Sequence, residues 1–136
     1  MKKNKPKLLI ADDDITTLIL LRASIVQWGF EIVETDNGED VLSILHSPDA
    51  PQILIIDWLM PKLDGITLCT RICNEFHPRP YVIISTHNKG DINLVKAIEA
   101  GADQFIEKPI NLEILRCRLL VASRVINGEY QTLDSR

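Results

Sequence analysis

Short apolar runs alternate with longer amphipathic stretches along this chain of 136 residues. The runs Lys7–Ala11, Glu31–Thr35, Ile53–Asp57, Tyr81–Ser85 and Gln104–Glu107 have the length of strands. "ILIID" and "YVIIS" are apolar at consecutive positions, without the in–out alternation of a half-exposed strand. Such runs predict strands covered on both faces, as in a parallel sheet. The stretches Ile15–Trp28, Gly38–Ser47, Gly65–Glu75, Asp91–Ala100 and Leu112 to about Ile126 predict helices. Turn-forming clusters separate them: "DNG" at 36–38, "SPDAP" at 47–51, "MPKLDG" at 60–65, "HPRP" at 77–80 and "EAGAD" at 99–103.

Five strand–helix units in this order predict an α/β fold with one doubly wound parallel sheet, helices on both faces and right-handed crossovers. Ligands of such sheets bind beyond the carboxyl ends of the strands, where the strand order reverses. The polar residues at those ends are Asp12, Asp13 and Asp14 after the first strand, Asp57 after the third, Ser85 and Thr86 after the fourth and Lys108 after the fifth. Four separate parts of the chain are thereby expected to meet at one edge.

Composition adds exclusions. The length suits one domain with a core of its own. A net charge of −4 argues against bulk attraction to nucleic acid or an anionic membrane. No run approaches the roughly 20 apolar residues of a membrane span. The opening "MKKNKPKLLIADDD" lacks the long apolar stretch of a secretion signal, so the cytoplasm is the expected compartment. Cys69, Cys73 and Cys117 are expected to be free thiols. Cys69 and Cys73 share a helix face, as two metal ligands would, but both read as small core residues.

The edge residues form a coherent chemical set. Carboxylates about 5 Å apart repel by roughly 3 kcal/mol at an effective dielectric near 20, so Asp12, Asp13 and Asp14 need an offset: solvent exposure, a backbone cap or a cation. An oxygen-only donor set suits Mg²⁺, which takes one or two carboxylates and leaves room for phosphate oxygens. Lys108 supplies a compact positive charge, and Pro109 behind it biases its backbone towards an extended conformation. A carboxylate nucleophile, a divalent ion and a cation around one phosphorus describe phosphoryl transfer to aspartate. Asp14 reads differently, as the cap of the helix beginning at Ile15.

Over residues 7 to about 125 the chain resembles the receiver domains of bacterial two-component response regulators. The resemblance is carried by "LLIADDD", "DNGED", "ILIIDWLMPKLDGI", "YVIIST" and "AIEAGADQFIEKP", in that order and spacing. It implies a flavodoxin-like (βα)5 sheet in strand order 2-1-3-4-5, with residues 1–126 as the receiver. Residues 127–136 are then a tail or the start of a linker to an output domain. It implies Asp57 as phosphoacceptor and Mg²⁺ as cofactor. The metal would be held by Asp13, Asp57 and the backbone carbonyl of Leu59 directly, and by Asp12 mostly through water. Lys108 would hold the phosphoryl group, across the cis Lys108–Pro109 bond usual in the family. Thr86 would move towards the phosphoryl oxygens and Phe105 would turn inward behind it. Spacing back from Gly101 and Lys108 favours Thr86 over Ser85 for this hydroxyl.

The implied partner is a sensor histidine kinase or phosphotransfer protein. The fourth helix, fifth strand and fifth helix form the switching surface and a candidate homodimer contact, with no direct nucleic-acid or membrane binding. Such a domain is not an enzyme towards other substrates; it catalyses only its own phosphorylation and dephosphorylation. His87 departs from the family, which usually has Ala there, and sets a bulky side chain beside the phosphoryl site. Two other readings stay open. "DDDIT" also fits the D-x-D-x-T pattern of haloacid-dehalogenase-like phosphatases, with Asp12 as nucleophile, although a later acidic motif is lacking and Asp57 would have no role. A degenerate receiver acting only as a binding module is the third.

Overall fold

The computed structural model describes residues 5–87 and 90–128, with backbone alone at 91 and 92. Five strands and five helices alternate: β1 (Leu8–Ala11), α1 (Ile15–Gln27), β2 (Ile32–Thr35), α2 (Gly38–Leu45), β3 (Ile53–Asp57), α3 (Gly65–Glu75), β4 (Tyr81–Thr86), α4 (Asp91–Glu99), β5 (Gln104–Glu107) and α5 (Leu112–Ile126). All strand pairs are parallel, in the order β2-β1-β3-β4-β5. Every expected element is present, with small shifts at the ends. α2 stops at Leu45, short of Ser47, whose hydroxyl turns back to donate to the Ile44 carbonyl ahead of Pro48. β4 runs one residue further than expected because Thr86 still pairs with Glu107 in the ladder. Of the predicted tail, Asn127 and Gly128 close α5 and residues 129–136 lie outside the described residues.

The consecutive apolar residues of the central strands sort by parity onto two cores. Leu9, Ala11, Leu54, Ile56, Val82 and Ile84 face one side, where they meet Val41 and Leu45 of α2, Leu68 and Ile72 of α3 and Ala97 of α4. Leu8, Ile10, Ile53, Ile55, Ile83 and Ile106 face the other, against Leu21 and Ile25 of α1 and Leu115, Leu119 and Ala122 of α5. A strand between two helical layers needs apolar side chains at every position, which accounts for the missing alternation.

Side-chain caps fix where four of the helices begin. Asp14, Asn37, Asp64 and Asn111 accept from the backbone N–H of Thr16, Asp40, Thr67 and Ile114, respectively. Such caps are each worth about 1 kcal/mol. α3 also sits tight against the end of β3. The Gly65 N–H donates to the Trp58 carbonyl at 2.8 Å, and a Cβ on Gly65 would lie 2.6 Å from the Asp57 carbonyl oxygen. Only glycine permits that approach, which holds the segment following Asp57 in place.

Candidate functional site

Asp12, Asp57 and Lys108, 96 residues apart at their extremes, converge at the carboxyl edge of the sheet. Lys108 Nζ donates to Asp12 Oδ2 at 2.6 Å and lies 3.3 Å from Asp57 Oδ2. All three residues are buried, at 2%, 7% and 6% exposure for Asp12, Asp57 and Lys108. Asp12 Oδ1 accepts from the Asp14 N–H at 2.9 Å, so both of its oxygens are engaged. The Asp57 carboxylate accepts from the backbone N–H of Leu59. Asp13 is exposed at the mouth. One carboxylate oxygen from each of Asp12, Asp13 and Asp57 lies within 4.8 Å of the others.

These groups open into a cleft of about 290 Å³ lined by Asp13, Asp14, Asp57, Leu59, Thr86, His87 and Lys108. Thr86, not Ser85, belongs to its wall; Ser85 is buried with its hydroxyl 3.5 Å from the Ile56 carbonyl. Leu59 is 65% exposed, so its backbone stands at the rim. Phe105 is half-buried and packs with Trp58 against the core on the α2–α4 side, away from the cleft lining. The Lys108–Pro109 peptide is cis. Asp14 caps α1, and its carboxylate also accepts from the Thr17 hydroxyl at 2.8 Å. That bond is the main reason its carboxyl titrates below the usual value.

One ammonium serves more negative charge than it can balance. Burial, then the nearby Asp12 carboxylate, push Asp57 above the ordinary carboxylate range, and Lys108 does not fully offset them. Burial acts to lower the Lys108 ammonium, but the hydrogen bond and charge of Asp12, with help from Asp57, leave it raised. The donor set is all oxygen, compact and short of positive charge, which fits a small hard divalent ion such as Mg²⁺ and not a sulfur- or imidazole-seeking metal.

His46 lies against Phe76 with the rings tilted by 47° and their centroids 4.8 Å apart, and His77 is exposed. Cys69, Cys73 and Cys117 are all free thiols. On α5, Leu115, Leu119 and Ala122 are buried and Leu112 is half-buried. Ile114, Cys117 and Val121 stay exposed while Val125 packs inward. A cluster of Arg79, Asp103 and Cys73 in contact was not legible in sequence, because its members lie in "HPRP", "EAGAD" and α3, each of which reads locally as a turn or a helix. Among the described residues no helix is long and apolar enough to cross a membrane.

The family model for the response regulator receiver domain matches residues 8–120. The transcriptional regulatory protein AfsQ1 of Streptomyces coelicolor is 30% identical over 130 residues, covering 96% of this chain and 56% of that protein. A cyclic di-GMP phosphodiesterase of Thermotoga maritima is 31% identical over 121 residues, 86% of this chain and 30% of its own length. The chain thus spans about half or less of these longer relatives. The solved Francisella response regulator 1452 receiver domain superposes with a TM-score of 0.82 at 26% identity, over 89% of this chain and 98% of that one. With the expected strand order, the acidic edge and a family match over most of its length, the chain belongs to the receiver domains of two-component response regulators.

Proposed function

We propose that this receiver accepts a phosphoryl group on Asp57, in a Mg²⁺-dependent transfer from the phosphohistidine of a sensor kinase or phosphotransfer protein in the cytoplasm. The observation that carries this reading is Lys108 Nζ, 2.6 Å from Asp12 and 3.3 Å from Asp57 at a cleft also lined by Asp13 and Thr86. Asp13, Asp57 and the Leu59 carbonyl are the groups that would hold the metal directly, with Asp12 acting through water. A bound Mg²⁺ would neutralise carboxylate charge and withdraw charge from the phosphoryl oxygens. An Asp57 oxygen attacks phosphorus, the new P–O bond forms as the P–N bond breaks, and the imidazole departs with a proton from solvent. Lys108 holds a phosphoryl oxygen, and the Thr86 hydroxyl donates to another.

The product adds about −1.5 to −2 charge to a site already short of cations. That charge draws Thr86 inward and lets Phe105 follow, altering the surface of α4, β5 and α5. Exposed Leu94, Val95, Ile98, Ile114 and Val121 make this face suited to a second copy or an output partner. The chain's own net charge of −4 argues against bulk attraction to nucleic acid.

The test is labelling with acetyl phosphate and Mg²⁺. The native protein takes up one acid-stable, base-labile phosphoryl group and Asp57→Asn takes up none; labelling at another residue overturns the assignment. Lys108→Ala is expected still to accept the group but to lose the conformational response. Phosphatase activity that survives in Asp57→Asn would instead favour Asp12 as a nucleophile, a role its two engaged oxygens do not favour.

A further inference from the structure

His87 lines the acidic cleft and has no part in the transfer described above. It directly follows Thr86, the last residue of β4. It is exposed, so it stands on the solvent side of the cavity, whereas Asp57, Thr86 and Lys108 are buried. Leu59, the other exposed uncharged residue of the lining, offers no side-chain donor.

A phosphoryl group on Asp57 would bring three strong acceptor oxygens into this space. Side-chain donors for them are few. Lys108 already donates to Asp12 at 2.6 Å. The Thr86 hydroxyl carries a single proton, and the Ser85 hydroxyl turns away to the Ile56 carbonyl. Among the described lining residues, the remaining side chain with an N–H is the imidazole of His87, which can donate from at least one ring nitrogen whether neutral or protonated.

We propose that His87 is a further phosphoryl-binding residue, whose imidazole donates to the acyl phosphate from the mouth of the cleft and prolongs its life. This rests on Asp57 as the phosphoacceptor. Loss of the group requires water to attack phosphorus in line, on the side away from the Asp57 oxygen. The new P–O bond forms as the bond to the Asp57 oxygen breaks. One proton passes to solvent, hydrogen phosphate leaves and the Asp57 carboxylate is restored. Asp57 is buried and His87 is exposed, so the attacking water enters past the imidazole. A hydrogen bond to the charged phosphoryl oxygens holds the imidazole there and stabilises the acyl phosphate.

The experiment labels the native protein and its variants with radiolabelled acetyl phosphate and Mg²⁺, removes the donor and follows the loss of label from Asp57. His87→Gln keeps a side-chain N–H donor, whereas His87→Leu keeps bulk without one and His87→Ala keeps neither. Label should be lost about fivefold faster from His87→Ala and His87→Leu than from the native protein, with His87→Gln within about twofold of it. Titration with beryllofluoride and Mg²⁺, read by Trp58 fluorescence, isolates the bond from the passage of water. Affinity for this phosphoryl mimic should fall about fivefold in His87→Ala and His87→Leu and recover in His87→Gln. Thermal melts that match the native protein check that these exposed substitutions leave the fold intact.

Equal lifetimes in the native protein and His87→Ala, or a longer one in His87→Ala, overturn the proposal. So does a His87→Leu protein that keeps its label as the native one does, or an unchanged beryllofluoride affinity. Absence of label from Asp57 in the native protein overturns the phosphoacceptor assignment together with this one, whereas label on Asp57 with a lifetime independent of His87 overturns this one alone.

Discussion

Two ion pairs, one half-buried and one buried, tie distant segments of this domain together, and they are built on opposite principles. Arg79 and Asp103 form a closed unit. Asp103 accepts two guanidinium bonds and the Val82 N–H at 2.9 Å, and Arg79 spends its remaining capacity on the Gly101 carbonyl. Lys108 faces Asp12 and Asp57 at once, with Asp13 at the rim, so positive charge is scarce. The first pair is matched in charge and geometry, and planar bidentate contact suits Arg. The second is deliberately short of a cation, and Lys is the right residue for it because its point charge can be shared or moved between oxygens. A satisfied pair holds structure; an unsatisfied one holds the capacity to bind and react.

Breaking the closed pair has the largest expected effect on stability. Arg79→Ala removes both guanidinium bonds from the Asp103 carboxylate, which is 12% exposed at the side chain. Loss of one partner from such a pair costs about 2 to 3 kcal/mol. In a domain of this size that lowers Tm by roughly 10 °C, readable by calorimetry. Asp103→Asn keeps the bond to the Val82 N–H and should cost less, so the order of the two variants checks which group is stranded.

Supplying the missing cation comes next. Mg²⁺ at ten times its Kd should stabilise the native protein by about 1.4 kcal/mol, and Asp13→Asn should remove most of that gain without unfolding the domain. The effect has a defined pH dependence. Because Asp57 is raised in the folded state, its carboxylate form is completed only above the ordinary range, so Mg²⁺ stabilisation should grow as pH rises through that region and then level off. Thermal melts with and without Mg²⁺ between pH 4 and 8 measure this; an Mg²⁺ effect independent of pH would remove Asp57 from the binding set.

The contrast between the two pairs also marks what a sequence can disclose. The acidic edge was legible because strand ends are recognisable locally and topology gathers them: "LLIADDD", "ILIID" and "EKP" each announce a strand and its terminal polar residue. Asp14 as a cap was likewise a local matter of one side chain and the next turn. Arg79–Asp103 was not legible, since neither residue sits at a patterned position and their pairing depends on how the turn after α4 lies against the end of α3. Choosing Thr86 over Ser85 needed spacing to two distant landmarks, because a central strand gives no alternation to say which hydroxyl faces the cleft. The half-buried packing of Phe105 against the core beneath α2, α3 and α4 was equally out of reach, being set by helices that no strand pattern describes.

The smallest expected effect has the most telling sign. Asp57→Asn removes a carboxylate that burial and Asp12 disfavour, while Lys108 keeps its bond to Asp12. A group raised in the folded state contributes stability that is fully present below its unfolded value and is lost as pH rises through the folded one. At pH 7 the native protein therefore carries the whole penalty, and the amide should relieve it, raising stability in the absence of divalent ions. The difference between variant and native protein should shrink towards zero as pH falls well below the ordinary Asp value of 3.8, where Asp57 is protonated in both states. Mg²⁺ should reverse the order at pH 7, because the native site then gains a cation that the variant holds poorly. Urea titrations at two pH values, each with and without Mg²⁺, read all four corners of this cycle. A variant less stable than the native protein under metal-free conditions at pH 7 would mean that Asp57 is satisfied by Lys108 alone, and the distinction between the closed pair and the open one would collapse.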